Sequence, residues 1–179
     1  LVGPLGTAFG VPTTNANTML IGGGYGSAPL FALAELLKNR GCRVDMVLGA
    51  STANKIYAPL EGKRSVSSLT LTTDDGSAGI HGQISEAIPR LIREYKTEVI
   101  YSCGPMGMLS AIAKIAEEFD ISHQCSVEEA MACGIGVCMT CVVPIKHEDG
   151  IKMVRTCIDG PVMDGSEIIW DRKSAMDML

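Results

Sequence analysis

From Asn17 onward the apolar positions switch between two periods. Thr18–Ile21 is a short continuous run of the kind a strand buried on both faces presents. A glycine turn follows, and then Leu30, Leu33, Ala34, Leu36 and Leu37 recur at the three- and four-residue spacing of a helix with one buried face. The alternation continues. Arg43–Leu48 predicts a second strand, Ser68–Thr72 a third with β-branched residues, Ser85–Tyr95 a helix, Glu98–Ser102 a fourth strand, Met106–Phe119 a helix, and Ile121–Val127 a fifth strand. Strands separated by helices pair in parallel through crossovers, so residues 17–127 predict an α/β fold: a doubly wound parallel sheet covered on both faces.

The flanks have a different texture. Residues 1–16 are rich in Gly, Pro, Thr and Asn without periodicity, and read as a linker that adds nothing to a core. After Val127 come short loops dense in Gly and Cys, then candidate strands Thr140–Lys146 and Lys152–Thr156 joined through the turn His147–Gly150. Residues 128–179 therefore read as a second, small module. Its apolar content is thin, and small modules of that kind usually depend on a staple such as a metal.

Composition narrows the function classes. With 46% apolar and 20% charged residues in 179, the chain has ample material for a core. The 15 Lys and Arg against 20 Asp and Glu give a net charge of −5 with no basic stripe, which argues against a nucleic-acid partner. Charged residues, Gly or Asn interrupt every apolar run before the ~18 residues a membrane-spanning helix requires, and no signal peptide is recognisable, so a cytoplasmic location is expected. The first residue is Leu1, so the sequence reads as a fragment or a processed product. Seven cysteines, an odd number without a secretion signal, point to metal or redox chemistry more than to a disulfide framework.

Three loops carry candidate nucleotide chemistry. Gly22, Gly23, Gly24, Tyr25, Gly26 and Ser27 connect a strand to a helix, where glycine allows close backbone approach and the free N–H groups of the helix start attract a pyrophosphate. The turn departs from the dinucleotide fingerprint, with Ser27 or Pro29 in place of the third glycine, so a plain tight turn is the alternative. Asp45, the acidic residue about 20 positions on, sits early in its strand and reads as solvent-facing. Asp74 and Asp75 follow the third strand at the edge where such sheets bind ligands. Cys103, Gly104, Pro105 and Met106 follow the fourth, placing Cys103 beside a helix start expected to lower its pKa. Convergence of three loops on one crevice favours nucleotide binding.

The densest signal is Cys133, Cys138 and Cys141 at C-x4-C-x2-C spacing, followed by a distant Cys157. This is the plant-type [2Fe–2S] pattern, whose glycines let backbone N–H groups turn towards the sulfurs. A four-cysteine structural zinc site is the alternative, although zinc ribbons prefer two matched C-x2-C knuckles. His81, His123 and His147 lack ligand spacing, and no Ser-His-Asp order or paired carboxylates suggest hydrolysis. Met131, Met139, Met153 and Met163 read either as an adaptable contact surface or as core filling.

Taken together, Gly3–Gly6, Gly22–Leu30, Thr73–Gly76, Cys103–Pro105, Glu128–Cys141 and Cys157–Val162 resemble, in order, the electron-transfer subunit family of NAD-linked dihydroorotate dehydrogenase, within the ferredoxin–NAD(P) reductase superfamily. The resemblance spans nearly the whole chain. It implies an N-terminal FAD-binding barrel that this sequence does not contain, an NAD-binding domain at 17–127 and a [2Fe–2S] module at 128–179. It also implies a catalytic FMN-containing partner subunit in a heterotetramer. On that resemblance, electrons pass from the partner through the cluster and FAD to NAD+. Cys133, Cys138, Cys141 and Cys157 ligate iron, Gly22–Ser27 cradle the pyrophosphate, Asp74 and Asp75 flank the nucleotide, and Cys103–Met106 lie near nicotinamide and flavin. Without the barrel and partner, the fragment is expected to be inactive. NAD is expected over NADP because Gly49–Lys55 offers only Lys55, and no Arg, to a 2′-phosphate. Other readings are a diaphorase-like subunit of a hydrogenase, sulfite reductase or sulfide dehydrogenase, and a zinc-stapled nucleotide-binding regulator.

Overall fold

The computed structural model describes residues 2–171. In chain order its elements are β1 (Asn17–Gly23), α1 (Ala28–Asn39), β2 (Arg43–Ala50), α2 (Pro59–Ser65), β3 (Ser68–Thr73), β4 (Ile80–His81), α3 (Ile84–Tyr95), β5 (Val99–Cys103), α4 (Met106–Glu118), β6 (Ser122–Ser126), β7 (Val142–His147), β8 (Gly150–Arg155) and β9 (Val162–Asp164). One sheet runs β4-β3-β2-β1-β5-β6-β9, and β7 and β8 form a separate hairpin. All neighbours in the large sheet are parallel except β9, which lies antiparallel to β6.

The central strands bury both faces, which is why their sequences are continuous apolar runs. Successive side chains of β1 go to opposite layers. Met19 and Ile21 join Val47, Ile100 and the apolar faces of α3 and α4, including Ile88, Leu91 and Ile112. Leu20 joins Met46, Leu48, Tyr101 and the inner face of α1, including Leu30, Leu33 and Leu37. A third cluster brings Leu109 of α4, Cys125 of β6 and Val127 together with Val143 of the hairpin and Ile168. That cluster, with the β6–β9 pairing, joins the cysteine-rich segment to the sheet.

Several details differ from the sequence reading. Helix α2 and strands β4 and β9 were not foreseen: each is short, and none carries a full hydrophobic period. The N-terminal segment also contributes to the core. Phe9 packs edge-on against Tyr101 with ring centroids 5.6 Å apart, and the Tyr101 hydroxyl donates to the Gly10 carbonyl at 2.9 Å. Asp45 does not face solvent. It is buried near the amino end of β2, held by Arg43 at 2.9 Å and by the Ser68 hydroxyl at 2.7 Å. Its carboxylate is thus committed to a structural ion pair, at the edge of the sheet opposite the loops that follow β1, β3 and β5. Among the described residues, no helix is long and apolar enough to cross a membrane.

Candidate functional site

Strand register assembles the crevice. Gly22 lies opposite Cys103 of β5, Gly23 opposite Gly49 of β2, and Ala50 opposite Thr73 of β3. The carboxyl ends of four strands therefore finish at nearly one level. Between β1 and β5 the connections leave to opposite faces, α1 on one side and α4 on the other, and a parallel sheet opens at such a point. A crevice of about 760 Å³ lies there, bordered by Gly23–Gly26, by Gly49, Ala50, Ser51 and Lys55, by Asp74, by the first turns of α3 and α4, by Gly104 and Pro105, and by Glu128.

The glycines do different work. A Cβ on Gly26 would stand 2.7 Å from Gly104 Cα and 2.8 Å from its nitrogen, so the β1–α1 and β5–α4 loops touch backbone to backbone. Nothing lies within 4 Å of a Cβ on Gly24, whose φ of +56° is what calls for glycine. The loop and the starts of α1 and α4 meet at the crevice, the setting in which helix N-termini favour an anion.

Of the residues expected from the sequence, Gly23, Gly24, Gly26, Asp74, Gly104 and Pro105 line the crevice. The others stand behind it. Ser27 is buried and its hydroxyl donates to the Gly24 carbonyl at 2.7 Å, while a Cβ on Gly22 would strike that serine. Asp75 accepts from the Ser77 N–H at 3.0 Å and the Ser77 hydroxyl at 2.6 Å, and this holds its carboxyl below the usual range. Met106 packs on the third core cluster. Cys103 is half-buried and, contrary to the expected lowering by a helix start, burial raises its pKa; Ser126 pulls it down, and Glu128 adds to the rise. The helix dipole is outweighed because the thiolate would be formed out of water.

Sequence reasoning missed Gln83, Met108 and Glu128 on the crevice wall, whereas Tyr25 and Ser51 fall within the Gly22–Ser27 and Gly49–Lys55 segments it named. Gly49 and Ser51 had a signal, since they open the loop that follows the predicted strand Arg43–Leu48. Glu128 had none, because only the course of the chain after β6 brings it round. His123, given no role from sequence, is buried on β6 with Nε2 2.7 Å from the Ser102 hydroxyl, and burial lowers its pKa to about 4.

The cysteine loop is built differently. Cys133 Sγ accepts the N–H groups of Val137 and Cys138 at 3.3 and 3.4 Å. Hydrogen bonding from Thr140 first and Cys133 next pulls the Cys138 thiol down to about 6. Cys141 and Cys157 are buried and share a hydrogen bond that lowers the first and raises the second. Hydrogen bonding thus links Cys138 to Cys133 and Cys141 to Cys157, and Cys133 also acts electrostatically on Cys157. Among the described residues, no three Cys, His, Asp or Glu side chains gather closely enough to hold a single metal ion. Arg155 ties the parts together: its guanidinium donates to the Gly136 carbonyl at 3.0 Å and to Asp159 at 3.2 Å. Gly134, Gly136 and Met139 take φ of +67°, +79° and +55°, curling the loop so that its N–H groups point inward.

Comparison with known proteins agrees with this division. Residues 128–169 match the family described as the iron–sulfur cluster binding domain of dihydroorotate dehydrogenase B. The chain is 34% identical over 96% of its length to the dihydroorotate dehydrogenase B (NAD(+)) electron transfer subunit of Desulforamulus reducens, and 37% identical over 95% to that of Streptococcus mutans. It spans 65% of each of those relatives. A solved NADH-dependent reduced ferredoxin–NADP oxidoreductase, studied for flavin-based electron bifurcation, superposes with a TM-score of 0.82 at 35% identity, over 96% of this chain and 60% of the other.

Proposed function

We propose that this chain carries electrons between a [2Fe–2S] cluster and NAD+, because it is similar to dihydroorotate dehydrogenase B electron-transfer subunits along nearly its whole length and its residues 128–169 match their iron–sulfur cluster binding domain. In this reading its partner is an FMN-containing catalytic subunit that oxidises dihydroorotate, the two kinds of subunit forming a heterotetramer. The match of residues 128–169 to an iron–sulfur cluster binding domain carries the cluster assignment, and the hydrogen bonding that links Cys133 with Cys138 and Cys141 with Cys157 fits a two-iron cluster. A two-iron rhomb needs two thiolates at each iron, whereas a zinc ion needs four around one point.

Cys133, Cys138, Cys141 and Cys157 would hold the cluster, which supplies single-electron exchange, while FAD bound elsewhere in the full subunit supplies the conversion to hydride. The protein's own contribution is binding and orientation. The Val137 and Cys138 N–H groups already point at Cys133 sulfur, and the lowered pKa of Cys138 suits a group that must bind as thiolate. At the other site Gly23–Gly26 would receive the pyrophosphate, the ends of β2 and β3 the adenosine, and Gly104 and Pro105 the nicotinamide. Cys103, half-buried behind the crevice wall, would support the Gly104 backbone under that ring. Glu128 opens the cluster segment and also lines the crevice, so the two sites share a wall.

Elemental analysis and visible absorption of anaerobically purified protein test this. About two irons and two sulfides per chain, no zinc, and a visible charge-transfer spectrum are expected. One zinc and no colour would replace the proposal with a zinc-stapled nucleotide-binding regulator. The likeness to the ferredoxin–NADP oxidoreductase supports a second reading with the same cofactors and a different electron donor. Reduction of the assembled enzyme by dihydroorotate, and not by reduced ferredoxin, separates the two.

A further inference from the structure

We infer that Arg155 is a positioning residue for the cluster: its guanidinium fixes and polarises the Gly136–Val137 peptide, and through that peptide it raises the cluster's reduction potential. The inference rests on the iron–sulfur reading above. One peptide unit faces both ways. On its outer side the Gly136 carbonyl accepts from Arg155 Nη1 at 3.0 Å. On its inner side the Val137 N–H, in the same plane, donates to Cys133 Sγ at 3.3 Å. The neighbouring Gly136 N–H is a hydrogen-bond partner of the Cys157 thiol. Gly136 thus stands between two sulfurs of the proposed ligand set, one from the loop and one from the distant segment. A cation on the carbonyl draws electron density from the N–H at the other end of the peptide, which makes that N–H the stronger donor to sulfur. Reduction adds one electron's negative charge to a cluster, so donors aimed at its sulfurs favour the reduced form.

Arg155 is held for this task at the other end of its fork. Its Nε donates to Asp159 Oδ2 at 3.2 Å, and the same oxygen accepts the Arg155 backbone N–H at 2.8 Å. The Asp159 N–H returns to the Arg155 carbonyl at 2.8 Å, closing a turn that contains Cys157. From outside, the Thr7 hydroxyl donates to the Asp159 carbonyl at 3.1 Å and steadies that turn. Ile158 of the same turn packs where a Cβ on Gly136 would strike it, so the loop peptide rests on the turn that aims the guanidinium at it. A lysine at 155 would keep the charge but has no fork to span Gly136 and Asp159 together.

Redox titration of the cluster-loaded 179-residue chain, followed by visible absorption, tests this with Arg155→Gln, Arg155→Lys and Lys152→Gln. Lys152 also acts electrostatically on Asp159, so its replacement removes a nearby charge and leaves the bond from Arg155 to Gly136 in place. R155Q should shift the one-electron equilibrium towards the oxidised form about fivefold, which is about 40 mV. R155K should shift it the same way by a smaller factor, and it carries the test if R155Q loses its iron on purification. K152Q should stay within about 1.5-fold of wild type. Equal shifts in the Arg155 variants and K152Q would mean that charge alone acts, and Arg155 variants indistinguishable from wild type would mean that the peptide keeps its orientation unaided. Either result overturns the inference while the cluster reading stands. A wild-type chain that holds zinc and no iron removes the cluster reading and the inference together.

Discussion

The edge of the parallel sheet and the cysteine loop, the two proposed ligand sites, are both built from glycine-rich turns, and they are held in place by opposite means. At the sheet edge, every strand feeding the crevice is anchored in buried residues such as Leu20, Ile21, Leu48 and Tyr101, and the Gly26 and Gly104 backbones lie in contact. The cysteine loop has little beneath it. Ile135, Val137 and Met139 are 47%, 74% and 51% exposed, and the loop is held by the Arg155 tether and by N–H groups aimed at Cys133. A site shaped by buried core is ready before its ligand arrives, which suits a nucleotide that comes and goes. A loop with few contacts of its own takes its rigidity from what its thiolates bind, which suits a cluster that stays.

The largest expected effect tests whether these regions are separable. Cys138→Ser should abolish the visible spectrum outright, and iron analysis should show the cluster gone. Affinity for 5′-AMP, read by calorimetry, should remain within about twofold of wild type, because the crevice draws its shape from the sheet. Loss of nucleotide binding in that variant would show that the cluster supports the crevice, and the contrast would fail.

Gly26→Ala is the converse experiment. Its Cβ would land on the Gly104 backbone, which has no rotamer into which to retreat. Overpacking of that kind costs about 3 kcal/mol, so a clear fall in melting temperature is expected, with nucleotide affinity down at least about tenfold. The cluster spectrum should survive. Gly24→Ala provides the internal scale: open space surrounds it, and only its left-handed φ opposes the change, at a cost of about 1 to 2 kcal/mol.

These variants also mark what could be read from the sequence. The five central strands and three of the helices were legible because burial on one or two faces imposes a period on the sequence. Helix α2, with Leu60 exposed, and the three residues of β9 impose none. Within the crevice, the glycine turn was legible as a turn, yet nothing in the order of residues says that the Ser27 hydroxyl points back into its own loop. Cysteine spacing pointed to the proposed ligand set. The links from Cys138 to Cys133 and from Cys141 to Cys157 came only from the curl at Gly134, Gly136 and Met139 and the return of the chain to Cys157.

A smaller effect lies on the seam between the regions, where Gly165 packs on the buried His123 imidazole. Burial lowers its pKa to about 4, against about 6.5 in an unfolded chain, so between these values the unfolded state holds more protons. Stability contributed by this neutral imidazole is therefore complete above pH 6.5 and is lost as the pH falls towards 4. At pH 5 the loss is about 2 kcal/mol. Urea unfolding of wild type and His123→Gln from pH 7.5 to 4.5 should show the wild type losing more, by about that amount. Parallel pH profiles would mean that His123 does not carry the dependence.

The smallest expected effect concerns Glu128, which both opens the cluster segment and lines the crevice. Its carboxylate is exposed and lies near enough to raise the Cys103 thiol pKa, towards the end proposed for nicotinamide. The oxidised ring carries a positive charge and the reduced ring does not, so a carboxylate there favours NAD+ over NADH by Coulomb attraction alone. Solvent limits an exposed charge to well under 1 kcal/mol at this range, so Glu128→Gln should lower the NAD+ to NADH affinity ratio only about two- to threefold. The comparison of the two redox forms cancels any general loosening of the crevice, which would weaken both alike. Raising the salt concentration should shrink the wild-type ratio towards that of the variant. If E128Q weakens both forms equally, the carboxylate only shapes the wall, and the two regions share a boundary without sharing electrostatics.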